Sequence, residues 1–235
     1  MPTLHSQRST HAIVAIEQRI TERTRIRAEF YDKQESSLIF SEETEPRIAG
    51  GRVVRPRSGP VLRNTLSGYS RGIEVYIQRR SANRLSGWVS YALGISRFRD
   101  SATQLVFDGD FDQRHTVNVY GSYRLTKALN LSAKFRYGSN FPAPGFYIFN
   151  AGTLFLTDKR NLTRLPAYSR LDVRANYAFH FDRWKLTLYT EITNALARDN
   201  VRFTDLDRYN LAGQVFYGRE SLLPFLPSAG VSIEF

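Results

Sequence analysis

Apolar and polar residues alternate along most of the chain, most clearly between Arg170 and Phe181. Odd positions there read Leu171, Val173, Ala175, Tyr177, Phe179, Phe181; even positions read Arg170, Asp172, Arg174, Asn176, Ala178, His180. A period of two belongs to a strand with one apolar and one polar face. After the short connection Asp182-Arg183-Trp184 the period returns, with Leu186, Leu188 and Ile192 against Lys185, Thr187 and Glu191, so the two runs predict a hairpin. Three more hairpins follow from the same rule. Val117, Val119, Tyr123 and Leu125 lead through 126–130 to Leu131, Ala133, Phe135 and Tyr137. Ile73, Val75 and Ile77 lead through Ser81-Ala82-Asn83-Arg84 to Val89, Tyr91, Leu93 and Ile95, and Val14, Ile16 and Ile20 lead through 21–24 to Ile26, Ala28 and Phe30. The final run, Ala229, Val231, Ile233 and Phe235, is a ninth strand.

Short connections alternate with long ones, which span 36–66, 98–112, 142–167 and 197–227. Compact soluble domains rarely hold several structureless loops of such length, and their strands are commonly about 5–6 residues long. Strands of about ten residues with short turns on one side and long loops on the other predict an all-β fold, a transmembrane antiparallel β-barrel of the outer-membrane type. Tyr69, Phe98, Phe141, Tyr168, Phe179, Phe181 and Trp184 lie near strand ends, where aromatic girdles are expected at the two bilayer interfaces. Nine strands put the first and last in the same direction, and bacterial single-chain barrels have even strand numbers. Open edges facing lipid would each leave polar backbone groups unsatisfied. The expectation is a partial barrel: 1–10 an N-terminal segment, 11–235 the C-terminal part of a larger barrel.

Composition removes several classes. No stretch reaches the roughly 18–20 apolar residues of a membrane-spanning helix. The absence of cysteine excludes disulfides, thiolate metal sites and cysteine nucleophiles. Residues 1–20, with Arg8, Glu17 and Arg19, hold no apolar core like that of a secretory signal. The net charge of +11 comes mostly from arginine and permits binding to anionic surfaces without specifying a fold.

Several segments together resemble one family. They are Phe111-Asp112-Gln113-Arg114-His115, Leu165-Pro166-Ala167-Tyr168-Ser169-Arg170-Leu171-Asp172-Val173-Arg174, Glu191-Ile192-Thr193-Asn194-Ala195-Leu196, and the ending from Leu223 to Phe235. In this order they resemble the C-terminal portion of the barrel of TonB-dependent outer-membrane receptors, from about residue 11 onward. The resemblance implies a barrel of 22 strands in the cell outer membrane, active uptake of a scarce nutrient of the siderophore, vitamin or glycan class, and an N-terminal plug with a segment gripped by the TonB complex. The sequence shows neither plug nor gripped segment, so contact with that complex is expected only through parts not in this chain.

Ala229, Val231, Ile233 and Phe235 resemble the terminal signal read by the barrel-assembly machinery, which takes an exposed strand by edge pairing. Arg124, Lys134, Arg136, Arg170, Asp172 and Arg174 fall on polar faces and are candidates for the lumen. Arg52, Arg55 and Arg57, with Arg47 and Arg63, sit in a long outer loop, where phosphates of lipopolysaccharide or an anionic substrate are expected partners beside outer-membrane lipid. Phe146 and Tyr147, in the turn-forming stretch Pro142-Ala143-Pro144-Gly145-Phe146-Tyr147, are further candidates for ligand capture.

Asp108-Gly109-Asp110-Phe111-Asp112 begins like a calcium loop, but its sixth and twelfth places are Gln113 and Val119 where glycine and glutamate are needed. It reads as a polar loop before a strand. His5, His11, His115 and His180 lack ligand spacing, and neither a nucleophile elbow nor a phosphate-binding glycine loop occurs. No catalytic residue, metal site or cofactor is expected, and the chain is not read as an enzyme. Nucleic-acid binding would need basic and aromatic residues on one exposed face, whereas most aromatics here share the face of Leu and Val. Two alternatives remain: an oligomeric or structural outer-membrane barrel without active transport, and a soluble basic β-protein that binds polyanions.

Overall fold

The computed structural model describes residues 4–235. In chain order the strands are β1 (Arg8–Thr21), β2 (Thr24–Phe40), β3 (Arg47–Ala49), β4 (Arg52–Val54), β5 (Arg63–Ala82), β6 (Leu85–Asp100), β7 (Val106–Asp108), β8 (His115–Arg124) and β9 (Leu129–Gly138). They continue as β10 (Tyr147–Asn150), β11 (Thr153–Leu156), β12 (Tyr168–His180), β13 (Lys185–Thr193), β14 (Val201–Tyr209), β15 (Gln214–Ser221) and β16 (Leu226–Glu234). Nine of them form one antiparallel meander, β1-β2-β5-β6-β8-β9-β12-β13-β16, with β7 attached to β6. Neither β1 nor β16 has a neighbour on its outer side among the described residues, so the sheet is an open part of a barrel. β1 begins at Arg8 and so takes in the last three positions of the predicted N-terminal segment; Arg8–Thr10 pair with Ser36–Gln34.

Register carries the alternation across the sheet. Ala133 lies opposite Val173 and Val173 opposite Ile192, while Lys134 faces Asp172 and Arg174 faces Glu191. Apolar residues thus line up on one face and polar ones on the other, and the apolar face stays open to the surroundings, with Ile16, Ile73, Tyr177 and Val231 all well exposed. On β6 that face runs Leu85, Gly87, Val89, Tyr91, Leu93, Ile95 before it meets Arg97. Ten residue steps make about 34 Å along a strand, and at a barrel tilt of about 40° about 26 Å in height, the size of a lipid-facing band.

The turns are those a hairpin twist favours. Asn83 and Arg84, with φ of 50° and 68°, make the left-handed pair of a two-residue β-turn between β5 and β6. Close packing asks for glycine at two places: a side chain on Gly230 would meet the Tyr189 hydroxyl at 2.3 Å, and one on Gly72 the Tyr31 hydroxyl at 2.6 Å. Both rings lie over a neighbouring strand's glycine, which leaves them room on the polar face.

The outer loops depart from the sequence reading. β2 runs on to Phe40 and β5 starts at Arg63, with register shifts after Glu35 and Leu38 and a left-handed Ser37, φ 55°. The bulge breaks the period of two while the strands stay paired, so the first long loop is 41–62. The third and fourth loops build a second sheet of their own, β10-β11-β15-β14. Its core is Ala143, Tyr147, Leu154, Leu156 and Val215, packed on Ile48 and Val53 of the β3–β4 hairpin. Phe146 is fully buried and Tyr147 nearly so. The sequence makes both candidates for ligand capture; the structure instead buries them, Tyr147 within the loop core and Phe146 beside it in the chain, where apolar loop segments converge and exclude water. The buried interior of this chain therefore sits above the barrel wall, in its loops.

Candidate functional site

All six lumen candidates lie on the polar face of β8, β9 and β12, joined by register. Arg136 stands between Asn118 and Arg170, Lys134 between Tyr120 and Asp172, and Arg174 between Ser132 and Glu191; Arg124 lies opposite Asn130 near the short-turn end. Arg170 clamps Asp172 with two hydrogen bonds of 2.7 Å. Arg174 reaches Glu191 at 3.1 Å and lies 4.2 Å above the Tyr189 ring. The rest of this face holds more than charge. Tyr76, Trp88 and Tyr120 form a row of tilted rings with centroids 6.1 and 6.3 Å apart, on the polar face and apart from the aromatics that share the face of Leu and Val. Toward β1 the face dips into a trough of about 650 Å³ bordered by Glu17, Arg25, Arg27, Glu29, Glu74 and Tyr76.

The predicted girdle divides. Phe179 lies on the apolar face near the short turns, and Phe181 stacks on Trp184 at 4.0 Å beside it. Phe98 and Tyr168 belong to the polar side instead. Phe98 packs on Phe107 below the loops, and Tyr168 borders a cavity. Parity decides this: both occupy even positions in strands whose apolar positions are odd.

That cavity, about 510 Å³, opens at the loop end of the polar face. Phe111, Phe141, Pro142, Pro144, Leu165, Pro166 and Tyr168 give it apolar walls, and Arg136, Gln113, Asn118 and Thr116 supply polar groups, with the carboxylate of Asp110 at its edge already paired with Arg160. Phe111 is almost completely exposed, an unusual place for phenylalanine. The recess offers an apolar surface with one cation at its base. That chemistry suits a solute with a flat or apolar body and a negative group.

The mouth is held rigid by the acidic triplet. Asp108 is approached by Arg97, Arg114 and Arg164 at 3.4, 3.2 and 2.7 Å. Asp112 has no exposed side-chain surface; it accepts the Ser96 amide at 2.7 Å, Arg114 at 2.9 Å and Arg164. Asp110 pairs with Arg160, which also grips Glu45 through two hydrogen bonds, and Asn161 donates to Asp110 at 2.8 Å. Burial raises the Asp112 carboxyl, and Arg164, the Ser96 amide and Arg114 outweigh it and hold it below the ordinary aspartate value. Asp110 is lowered in the same way against burial, by Arg160 and Asn161. Arg160, Arg164 and Asn161 escaped sequence reading because the aspartates they bond lie 50–56 residues away, whereas Arg114 bonds within its own segment; the three alternating aspartates were the visible half of the network.

The segments that carried the resemblance have local jobs. Asn194, buried and left-handed with φ 54°, donates its amide nitrogen to Asp172 and its side-chain nitrogen to the carbonyls of Arg198 and Leu223. Asn200 makes a two-way bond with the main chain of Ser169. Gln113 donates to the Ser139 carbonyl at 2.8 Å. Arg52 and Arg55 are exposed, Arg57 pairs with Glu43 at 3.3 Å, and Arg47 is turned inward onto Glu42. Ala229, Val231 and Ile233 face the apolar side opposite Thr190, Leu188 and Leu186, and Phe235 is fully exposed beyond β16. Among the described residues no cluster of metal-ligating side chains occurs.

A family model described as TonB dependent receptor-like, beta-barrel, matches residues 14–195. No curated protein sequence matches. Among solved structures, the chain is similar to the ferric-catecholate import receptor Fiu of Escherichia coli K12 (TM-score 0.60, 13% identity, 97% of this chain and 28% of that one). It is also similar to the FrpB iron transporter of Neisseria meningitidis (0.54, 14%, 98% and 31%) and to the ferripyoverdine receptor of Pseudomonas aeruginosa (0.55, 13%, 91% and 26%). The chain thus spans about a quarter to a third of their lengths, and the likeness is one of fold.

Proposed function

Since the chain belongs to the TonB-dependent receptor β-barrel family, we propose that it forms wall and mouth of an outer-membrane receptor for energy-dependent uptake of a scarce nutrient. The family consists of transport receptors of the outer membrane of Gram-negative bacteria, and the polar face and its mouth cavity suit passage and capture of a solute. The observation that carries the reading is the meeting of the polar face with the apolar-walled recess at Arg136. Siderophores, vitamins and glycans are the classes in question. An anionic solute with an apolar body is the best fit to Phe111, Phe141, Tyr168 and Arg136, and Arg52, Arg55 and Arg57 would draw it from outside. Assembly would begin at the open edge of β16, taken by the barrel-assembly machinery through Ala229, Val231, Ile233 and Phe235. The strands and plug that complete the receptor, and the contact with the TonB complex, would come from parts outside this chain.

A homo-oligomeric barrel is less well supported. β1 and β16 run in the same direction, so a seam between two copies in one membrane would be parallel, against the antiparallel rule of outer-membrane barrels. The exposed apolar belt likewise disfavours the soluble polyanion binder.

The test uses cells carrying the complete receptor of which this chain is part, offered labelled ferric siderophores, cobalamin and oligosaccharides. One class should accumulate in a manner abolished by a protonophore, and Arg136→Glu should cut its binding about tenfold or more, the loss of one charge-assisted contact with reversal. Absence of energy-dependent uptake of every class, or full uptake by the Arg136→Glu variant, would contradict the proposal.

A further inference from the structure

We infer that the polar face carries a second binding station for the transported solute, formed by Tyr76, Trp88, Tyr120 and Lys134 one step below the mouth cavity, and that it takes a flat-ringed anion. The inference rests on the transport reading and deepens it, by naming where the solute goes after the mouth and which of its groups are held.

The mouth cavity and the trough are continuous, for Thr116 and Asn118 border both, and Tyr76 borders the trough. Tyr120 and Lys134 lie two positions from Asn118 and Arg136 on the same face of β8 and β9, about 7 Å nearer the short turns. Register sets Tyr120 between Trp88 and Lys134, and the row of rings runs on from Trp88 to Tyr76. Four neighbouring strands thus give one residue each to a line of three rings that ends on a cation. This repeats the chemistry of the mouth, where Phe141 and Tyr168 accompany Arg136.

The four side chains are half-buried, yet their polar ends are uncommitted. Among the described residues, the hydroxyls of Tyr76 and Tyr120, the indole N–H of Trp88 and the ammonium of Lys134 make no hydrogen bond or ion pair. Asp172, which register sets opposite Lys134, is occupied by Arg170 and by the Asn194 amide. Other cations of this face do have acids: Arg25 pairs with Glu17, Arg27 with Glu29 and Arg174 with Glu191. A lysine without an acid beside a row of ring faces holds the negative group of a solute, while the rings stack on its flat body and their polar tips bond its edge.

The test uses cells carrying the complete receptor and a ferric catecholate, a flat-ringed anion, radiolabelled in its organic ligand. In cells de-energised by a protonophore, Lys134→Gln should bind it within about twofold of the unaltered receptor, which also shows that the variant assembles. In energised cells the maximal uptake rate of that variant should fall about fivefold or more, the loss of one charge-assisted hydrogen bond beyond the mouth, and Lys134→Arg should restore most of it. A photo-reactive benzophenone side chain in place of Tyr120 should cross-link the labelled solute in energised cells and little of it under the protonophore. Unchanged uptake by Lys134→Gln, equal loss of binding and uptake, or cross-links from position 120 to protein alone would overturn the inference. Uptake confined to cobalamin or oligosaccharides would also overturn it while leaving the transport proposal standing. Absence of uptake of every class by the unaltered receptor, by contrast, would remove both.

Discussion

Asp112 is the residue on which the mouth turns. Its carboxylate ties β6, the stretch before β8 and the third loop through Ser96, Arg114 and Arg164, and Asp110 adds Arg160 and, through it, Glu45 of the first loop. Both aspartates have carboxyls lowered in the folded state, so their stabilisation is complete above the unfolded value of about 3.9 and lost as pH falls through the lower folded values. Protease resistance of the outer loops should therefore be flat from about pH 7 to pH 5 and collapse only below about pH 4. Asp112→Asn should shrink that acid transition to the part carried by Asp110 and make the loops more protease-sensitive at neutral pH; an unchanged profile would remove Asp112 from the account. The acidic triplet was visible in the sequence as a failed calcium loop, but its role was not, because Arg160 and Arg164, which tie it to the third loop, lie 50 or more residues away in the chain.

At the scale of elements, strands were readable where they cross the belt and unreadable beyond it. A period of two sustained by Leu171 to Phe181 needs a sharp boundary between lipid and water to maintain it, and the loops have none. Strands of three or four residues such as β3, β4, β10 and β11 are too short to show a period, and their apolar residues serve a local core. This is why Phe146 and Tyr147 looked like a capture motif and prove to be packing. The facing of β12 makes the clearest mutational prediction. Val173→Arg should destabilise the barrel by about 2–4 kcal/mol if the position lies at the bilayer midplane, whereas Arg174→Gln, on the polar face, should be mild. Urea unfolding in lipid vesicles measures both, and equal costs would refute the assignment of faces.

For the whole molecule, the number and order of the long strands followed from the sequence, and so did the open edges, because nine alternating strands cannot close antiparallel. The loop sheet, the mouth cavity and the ion network did not follow, since all three arise from contacts between loops and strand ends far apart in the chain that only the folded sheet brings together. The central claim is that one face of this sheet meets lipid and the other a watery lumen. Native cysteine is absent, so single cysteines placed from 170 to 177 can be labelled without background. Treatment of outer membranes with a water-soluble, membrane-impermeant maleimide should modify positions 170, 172, 174 and 176 and spare 171, 173, 175 and 177. Uniform labelling along the segment, or the opposite parity, would contradict the barrel reading and the function proposed from it.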